Sequence, residues 1–334
     1  SPDCIYSYKV VAVNDGGASF PSEELSVGVS SAAVTAGKLP VMIVNGFERV
    51  AGPAVFEKID STFAGFNNIK DRGVAYKADW SYIGDMHEFR REIPWMDDDA
   101  AGFGASYSDY ETKVVAGNTF DYPYVHGNAI MKNGYSFVSS SVGAVKAGKV
   151  DMNNYKIVDM IMGKQGKTVV GRGVYGHKFE VFPVELQKEI REFCEAGGNL
   201  LVSGSNIATD LFDAPGVTEE GMNFAKDVLK YKWMTEYATK SGKVVSVANP
   251  YVKTTPVVHF PQYLNNVTYS VESPDALVPS CKEAYTIFRY ADNNISAGVA
   301  YKGDYKTVCL GFPLEIASNG NKVISDILKF FEQE

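Results

Sequence analysis

Ser205 lies in the turn Ser203-Gly204-Ser205-Asn206-Ile207, directly behind the apolar run 200–202. A serine hydroxyl is a weak nucleophile until a base takes its proton, and a histidine steered by a carboxylate is the usual base. The chain holds four histidines, His87, His126, His177 and His259. His126 belongs to the most distinctive loop, 117–127, and shares it with Asp121. The candidate catalytic set is therefore Ser205 as nucleophile, His126 as base and Asp121 as carboxylate, for hydrolysis of an amide or ester bond. A second reading uses the same residues without chemistry. In it, Ser205 or Asn206 caps the helix that follows, and His126 is an ordinary loop residue. The turn lacks the Gly-x-Ser-x-Gly spacing of a strained nucleophile elbow.

Ligand contacts are expected where strands end. Asn45, Asn118, Asp121, Ser139, Asp159, Ser203, Ser205 and Asp210 fall at or just after expected strand ends. In an open α/β sheet those ends line the ligand crevice. Helix N-termini and turn amides converge there and can hold an anion or oxyanion. Asn45, Asn118, Ser203, Asn206 and Asp210 form the ligand-binding set. Asp97, Asp98 and Asp99 are adjacent carboxylates that could take Ca²⁺, but their spacing fits no EF-hand, and a solvated acidic turn or helix cap explains them as well. Lys164-Gln165-Gly166 suits a crevice loop but has too little glycine to cradle phosphate. Phe120, Tyr122, Tyr124, Tyr135 and Phe137 either stack on sugar rings or pack in the core. No metal and no cofactor is expected.

The elements that must position these groups alternate. Strands are expected near 41–45, 114–117, 156–162 and 199–203, from short apolar runs of the kind buried on both faces. A helix is expected over 183–196, with Pro183 in its first turn and Leu186, Ile190, Phe193 and Cys194 on one face. A last helix over 321–331 aligns Ile324, Ile327, Leu328 and Phe331. Strands alternating with helices predict a doubly wound, mostly parallel sheet covered on both faces. Five β-rich runs between 257 and 311 extend that sheet.

Composition sets outer bounds. The chain has 334 residues, 45% hydrophobic, which is ample for a large core. A net charge of −8 argues against nucleic acid, since no basic surface is implied to neutralise phosphates. No apolar run approaches the ~20 residues of a membrane helix. The four cysteines, Cys4, Cys194, Cys281 and Cys309, have no metal-ligand spacing.

Residues 4–30 alternate in a strand pattern through Tyr6, Tyr8, Val10 and Ala12, turn at Asn14-Asp15-Gly16-Gly17, and resume after Pro21-Ser22-Glu23. This resembles the last two strands of a fibronectin type III β-sandwich, so 1–30 is expected as part of such a domain. Two strands alone are marginal in water, so either upstream strands of that domain complete the hairpin or it leans on the main domain. Residues 31–38, rich in small residues, read as a linker, and 39–334 as the α/β domain. The order Ile157-Val158-Asp159, helix, Gly197-Gly198-Asn199-Leu200-Leu201-Val202-Ser203-Gly204-Ser205, then Gly311-Phe312-Pro313-Leu314-Glu315-Ile316 and a helix, resembles the class I glutamine amidotransferase-like (flavodoxin-like) fold. Where that family carries a nucleophilic cysteine between two glycines, this chain has Ser205, with Ile207 at the second glycine.

At finer grain, 43–49, Ile93-Pro94-Trp95-Met96-Asp97-Asp98-Asp99, 117–127 and the Ser-Gly-Ser turn resemble secreted multidomain bacterial proteins of the xanthan-lyase type. That resemblance implies a secreted or cell-surface module concerned with polysaccharide or cell wall, binding or structural in role. The alternative is a Ser-dependent amidase or esterase, or a polysaccharide-degrading enzyme, on the same substrates. A polysaccharide or peptidoglycan ligand is the implied partner.

Overall fold

The computed structural model describes residues 1–18, 22–48, 54–57, 63–67, 86–90, 104–107, 121–169, 177–253, 257–262 and 268–333. The expected strand near 114–117, Asn118 and Asp97 to Asp99 lie outside them.

An eleven-stranded sheet dominates. In chain order its strands are β1 (Ile5–Tyr8), β2 (Leu25–Gly28), β3 (Val41–Asn45), β4 (Phe137–Ser141), β5 (Ile157–Gly163), β6 (Asn199–Gly204), β7 (Lys243–Ser246), β8 (Val257–His259), β9 (Ala284–Tyr290), β10 (Ser296–Lys302) and β11 (Lys306–Leu310). Across the sheet they run β1-β2-β4-β3-β5-β6-β11-β10-β9-β7-β8. The middle five, β4-β3-β5-β6-β11, are parallel. Renumbered among themselves they follow the order 2-1-3-4-5, one of the two common doubly wound arrangements. The protein is thus a mixed α/β fold built on one large sheet. Four of the five expected runs extend that sheet, as β8, β9, β10 and β11, through antiparallel pairing that also takes in β7. The described part of the run at 267–271 forms none of its strands, and Tyr269 and Val271 pack in the core. A separate antiparallel meander joins Ala54–Glu57, Phe63–Asn67, Met86–Arg90 and Gly104–Tyr107.

The helices are α1 (Ser31–Thr35), α2 (Tyr122–Lys132), α3 (Val142–Lys146), α4 (Val184–Glu195), α5 (Thr209–Phe212), α6 (Glu219–Phe224) and α7 (Gly320–Phe331). Strand residues alternate between two cores because side chains in a strand have period two. Val41, Ile43, Ile157, Ile161, Leu201, Val308 and Leu310 pack with α2 and α7 on one face. Met42, Val44, Val158, Met160, Met162, Leu200, Val202 and Cys309 pack with α3, α4, α5 and α6 on the other. The chain leaves β3 over the α2 face to reach β4. It returns over the α3 face to β5, on the opposite side of β3. The switch point lies between β3 and β5, where a crevice is expected outside the strand C-termini.

In residues 1–38 the hairpin leans on the main domain, one of its two expected arrangements, while the linker reading fails. The β1–β2 hairpin is an added edge of the main sheet. Gly28 pairs with Phe137, the Ser26 amide donates to Ser139 Oγ (2.7 Å), and that hydroxyl donates back to the Ser26 carbonyl (2.6 Å). Residues 31–38, read as a linker, carry α1 instead. Ser30 caps it, Ala33 is fully buried, and Lys38 bonds Glu332 at 2.7 Å. Small residues serve a tight helix packed on a sheet edge as readily as a flexible tether. Pro183 occupies the N-cap of α4, one residue ahead of its expected place.

Candidate functional site: a buried His–carboxylate cluster at the switch point

Strand parity places the polar residues. Asn45 pairs with Ile161, and Ile161 pairs with Ser203. Asp159 lies two residues back on β5, on the same face. All four positions therefore look toward α2 and α7. Helix α2 lies close to the sheet because residue 127 is glycine: a Cβ there would stand 2.1 Å from the Phe137 ring. That approach lowers His126 onto β5.

His126 is fully buried. Its Nδ1 lies 2.7 Å from Asp159 Oδ2, and its Nε2 lies 3.8 Å from Glu315 Oε2. Glu315 sits in the turn after β11, its side chain wholly buried, and Tyr269 donates its hydroxyl to Glu315 Oε1 at 2.6 Å. Tyr269, Phe47 and Tyr122 then pack ring against ring at 5.1–5.9 Å. Gly163, at φ +50°, makes room for Phe47, whose ring a Cβ there would meet at 2.3 Å.

The electrostatics follow from burial. Burial opposes charge on the His126 ring, but the Asp159 carboxylate, with Glu315 behind it, outweighs that and raises its pKa above the ordinary 6.5. Burial pushes Glu315 up, and the His126 charge and Tyr269 hydroxyl offset only part of this. A protonated ring donates Nδ1–H to Asp159 and aims Nε2–H at Glu315. Asn45 Oδ1, His126 Nε2, Asp159 Oδ1, Ser203 Oγ and Glu315 Oε2 are buried with no hydrogen-bond partner. All five belong to this face of the sheet or to the chain covering it.

The candidate catalytic set is not assembled. Ser205 is 2% exposed. Its hydroxyl donates to the Gly163 carbonyl at 3.2 Å, and its amide donates to the same oxygen at 2.8 Å. Both His126 nitrogens face carboxylates. The carboxylate on His126 is Asp159, while Asp121 sits at the N-cap of α2 without capping it. Nor does Ser205 or Asn206 cap the following helix. The Asp275 carboxylate does so, accepting the Ala208 and Thr209 amides at 2.7 and 2.9 Å, and burial raises it to about 7.

The ligand-binding set is also largely committed to the fold. Asn206 Nδ2 donates to the Gln165 carbonyl, and Asn45 Nδ2 donates to Glu23 at 2.6 Å. Asp210 accepts the Lys167 and Val181 amides, and burial pushes it up to about 6. Among the described residues, no cluster of three His, Cys, Asp or Glu could hold a metal, and no helix is long and apolar enough to cross a membrane.

Glu315, Tyr269 and Asp275 are the site residues that sequence reasoning did not single out. Glu315 stands inside the Gly311–Ile316 run, and its signal was an acid among apolar residues just after a strand. Tyr269 and Asp275 had no such local signal. Of the expected sugar-stacking aromatics, Tyr122, Tyr135 and Phe137 are core residues, Tyr124 is exposed, and Phe120 lies outside the described residues.

The sequence matches no protein-family profile and no curated protein. Among solved structures, an exo-β-1,4-mannosidase, Op5Man5, from Opitutaceae bacterium strain TAV5 is similar over 57% of this chain, at 9% identity and TM-score 0.35. That match spans only 26% of the mannosidase. A GMP synthase subunit from Thermoplasma acidophilum is similar over 62% of this chain and 87% of its own, at 8% identity and TM-score 0.38. The IFT52 N-terminal domain is similar over 60% and 83%, at 13% identity and TM-score 0.35.

Proposed function

We propose that the chain is a binding or structural module of a secreted or cell-surface protein that handles polysaccharide or cell wall. In this reading its amidotransferase-like crevice is closed by its own side chains and holds no working nucleophile. One observation carries the non-catalytic part: His126, the candidate base at the switch point, is fully buried between Asp159 and Glu315. A general base must reach the proton it abstracts, and here the Ser205 proton goes to the Gly163 carbonyl. The polysaccharide part rests on the resemblance of segments 43–49, 93–99 and 117–127 to the xanthan-lyase type.

The alternative, a Ser-dependent hydrolase, requires Ser205 to leave Gly163 and His126 to leave both carboxylates. A screen of hydrolysis and binding on polysaccharides and peptidoglycan fragments, run on the natural sequence and on Ser205→Ala, tests the choice. Binding without turnover is the expected result. Turnover that Ser205→Ala abolishes would establish the hydrolase. Turnover that survives it would shift attention to Asp121 and Asp210.

A further inference from the structure

The outward face of α2 carries a feature that the buried cluster does not use. A groove of about 400 Å³ runs between β1 and α2, lined by Asp3, Ile5, Tyr124, Asn128, Met131 and Lys132. That volume lies within the range of small-ligand sites. Tyr124, Asn128 and Lys132 are spaced i, i+4, i+8, so they stack along one side of the helix. Among the described residues, their side chains take part in no hydrogen bond, ion pair or ring contact. Asp3 is different: its two oxygens accept the Ser31 amide and hydroxyl at 2.9 and 2.7 Å, which fixes that wall. Ile5 and Met131, both packed against the core, give the groove an apolar floor.

We propose that this groove is a carbohydrate-binding subsite for a pyranose oligosaccharide. The proposal rests on the reading of the chain as a polysaccharide-directed module. The Tyr124 ring, 43% exposed, offers a flat apolar face for the C–H side of a sugar ring, as aromatic side chains do for other apolar partners. Asn128 supplies both a donor and an acceptor for hydroxyls, one turn along. Lys132 supplies an ammonium for a further hydroxyl. Asp3 lines the same groove, and the Ser31 hydroxyl and amide hold its carboxylate below the usual range, so its negative charge stands against that of Lys132. A neutral sugar is therefore favoured over a carboxylate-bearing one.

Isothermal titration with cellotetraose and with tetragalacturonate tests this, supported by amide chemical-shift mapping. The natural sequence binds, more tightly to cellotetraose, with shifts centred on α2. Tyr124→Ala weakens both sugars by about tenfold, the size of a lost ring contact, and Tyr124→Phe restores them. Lys132→Met weakens both, because a donor to a sugar hydroxyl is lost. Binding that Tyr124→Ala leaves intact, or that maps away from α2, overturns the groove while the module reading stands. Binding of neither sugar also overturns the groove. The module reading is then judged separately, by the polysaccharide and peptidoglycan screen.

Discussion

The two faces of α2 treat polar side chains in opposite ways. On the inner face His126 is locked against Asp159 and aimed at Glu315, and Glu315 is held in turn by Tyr269. On the outer face Tyr124, Asn128 and Lys132 have no protein partner among the described residues. The difference is solvent. A buried polar group must be satisfied from within the fold or its desolvation goes uncompensated, so the inner face is organised by the protein's own needs. An exposed group is satisfied by water and can exchange that water for a ligand at modest cost. Position at a topological switch point is therefore not the same as availability to a substrate.

The largest test of this contrast is Asp159→Ala. It leaves His126 without its hydrogen-bonded anion in a fully buried site. Losing one partner of a buried pair costs about 3–5 kcal/mol, read as a drop in unfolding free energy by denaturant titration. A loss below about 1 kcal/mol, the value of an exposed pair, would show that the cluster is open to water and would revive it as an active site.

The cluster also sets a pH dependence. His126 and Glu315 both have raised pKa values in the folded state. The folded protein therefore holds more protons than the unfolded chain across the windows that begin at 4.5 for Glu315 and 6.5 for His126. Stability falls as pH rises through those windows. Asp210, at about 6, and Asp275, at about 7, act with the same sign. Unfolding free energies across the mildly acidic to mildly alkaline range should decline, and Glu315→Gln should flatten the curve. A curve that rises with pH would mean that depressed carboxylates dominate instead.

Much of the frame was legible in the sequence. The strands at 41–45, 157–163 and 199–204 and the helices at 184–195 and 320–331 sit close to where apolar runs and periodicity put them. Asn45 and Ser203 were legible as strand-end residues, whereas Asp159, expected at a strand end, lies inside β5 and pairs with Ile43. Their convergence on one face was also implicit, because 41, 43 and 45 share parity, as do 157 and 159, and 201 and 203. What could not be read was partnership. Nothing local says that Asp159 meets a histidine 33 residues earlier or that Glu315 arrives from the far end of the chain. The docking of β1 and β2 stayed one of two alternatives for the same reason: an alternating hairpin looks identical whether it closes a sandwich or extends another sheet.

Ser205→Ala sharpens the contrast at smaller scale. It removes one neutral hydrogen bond from a buried site, worth about 0.5–1.5 kcal/mol. The lower end is expected, because the Gly163 carbonyl keeps the Ser205 amide as a donor. Denaturant titration of the variant against the natural chain checks it.

The smallest stability effect belongs to Tyr124→Ala. The ring is 43% exposed and rests on no aromatic partner among the described residues. Alanine is also the better helix former, by up to about 0.7 kcal/mol, which offsets the little packing that the ring supplies. The stability should therefore stay within about 0.5 kcal/mol of the natural chain, as for other surface changes, while oligosaccharide affinity falls. That split between unchanged folding and weakened binding is what an uncommitted outer face requires. A stability loss above about 1 kcal/mol, beyond the usual range of surface changes, would place Tyr124 in the hairpin–helix packing, and the two faces of α2 would then differ only in degree.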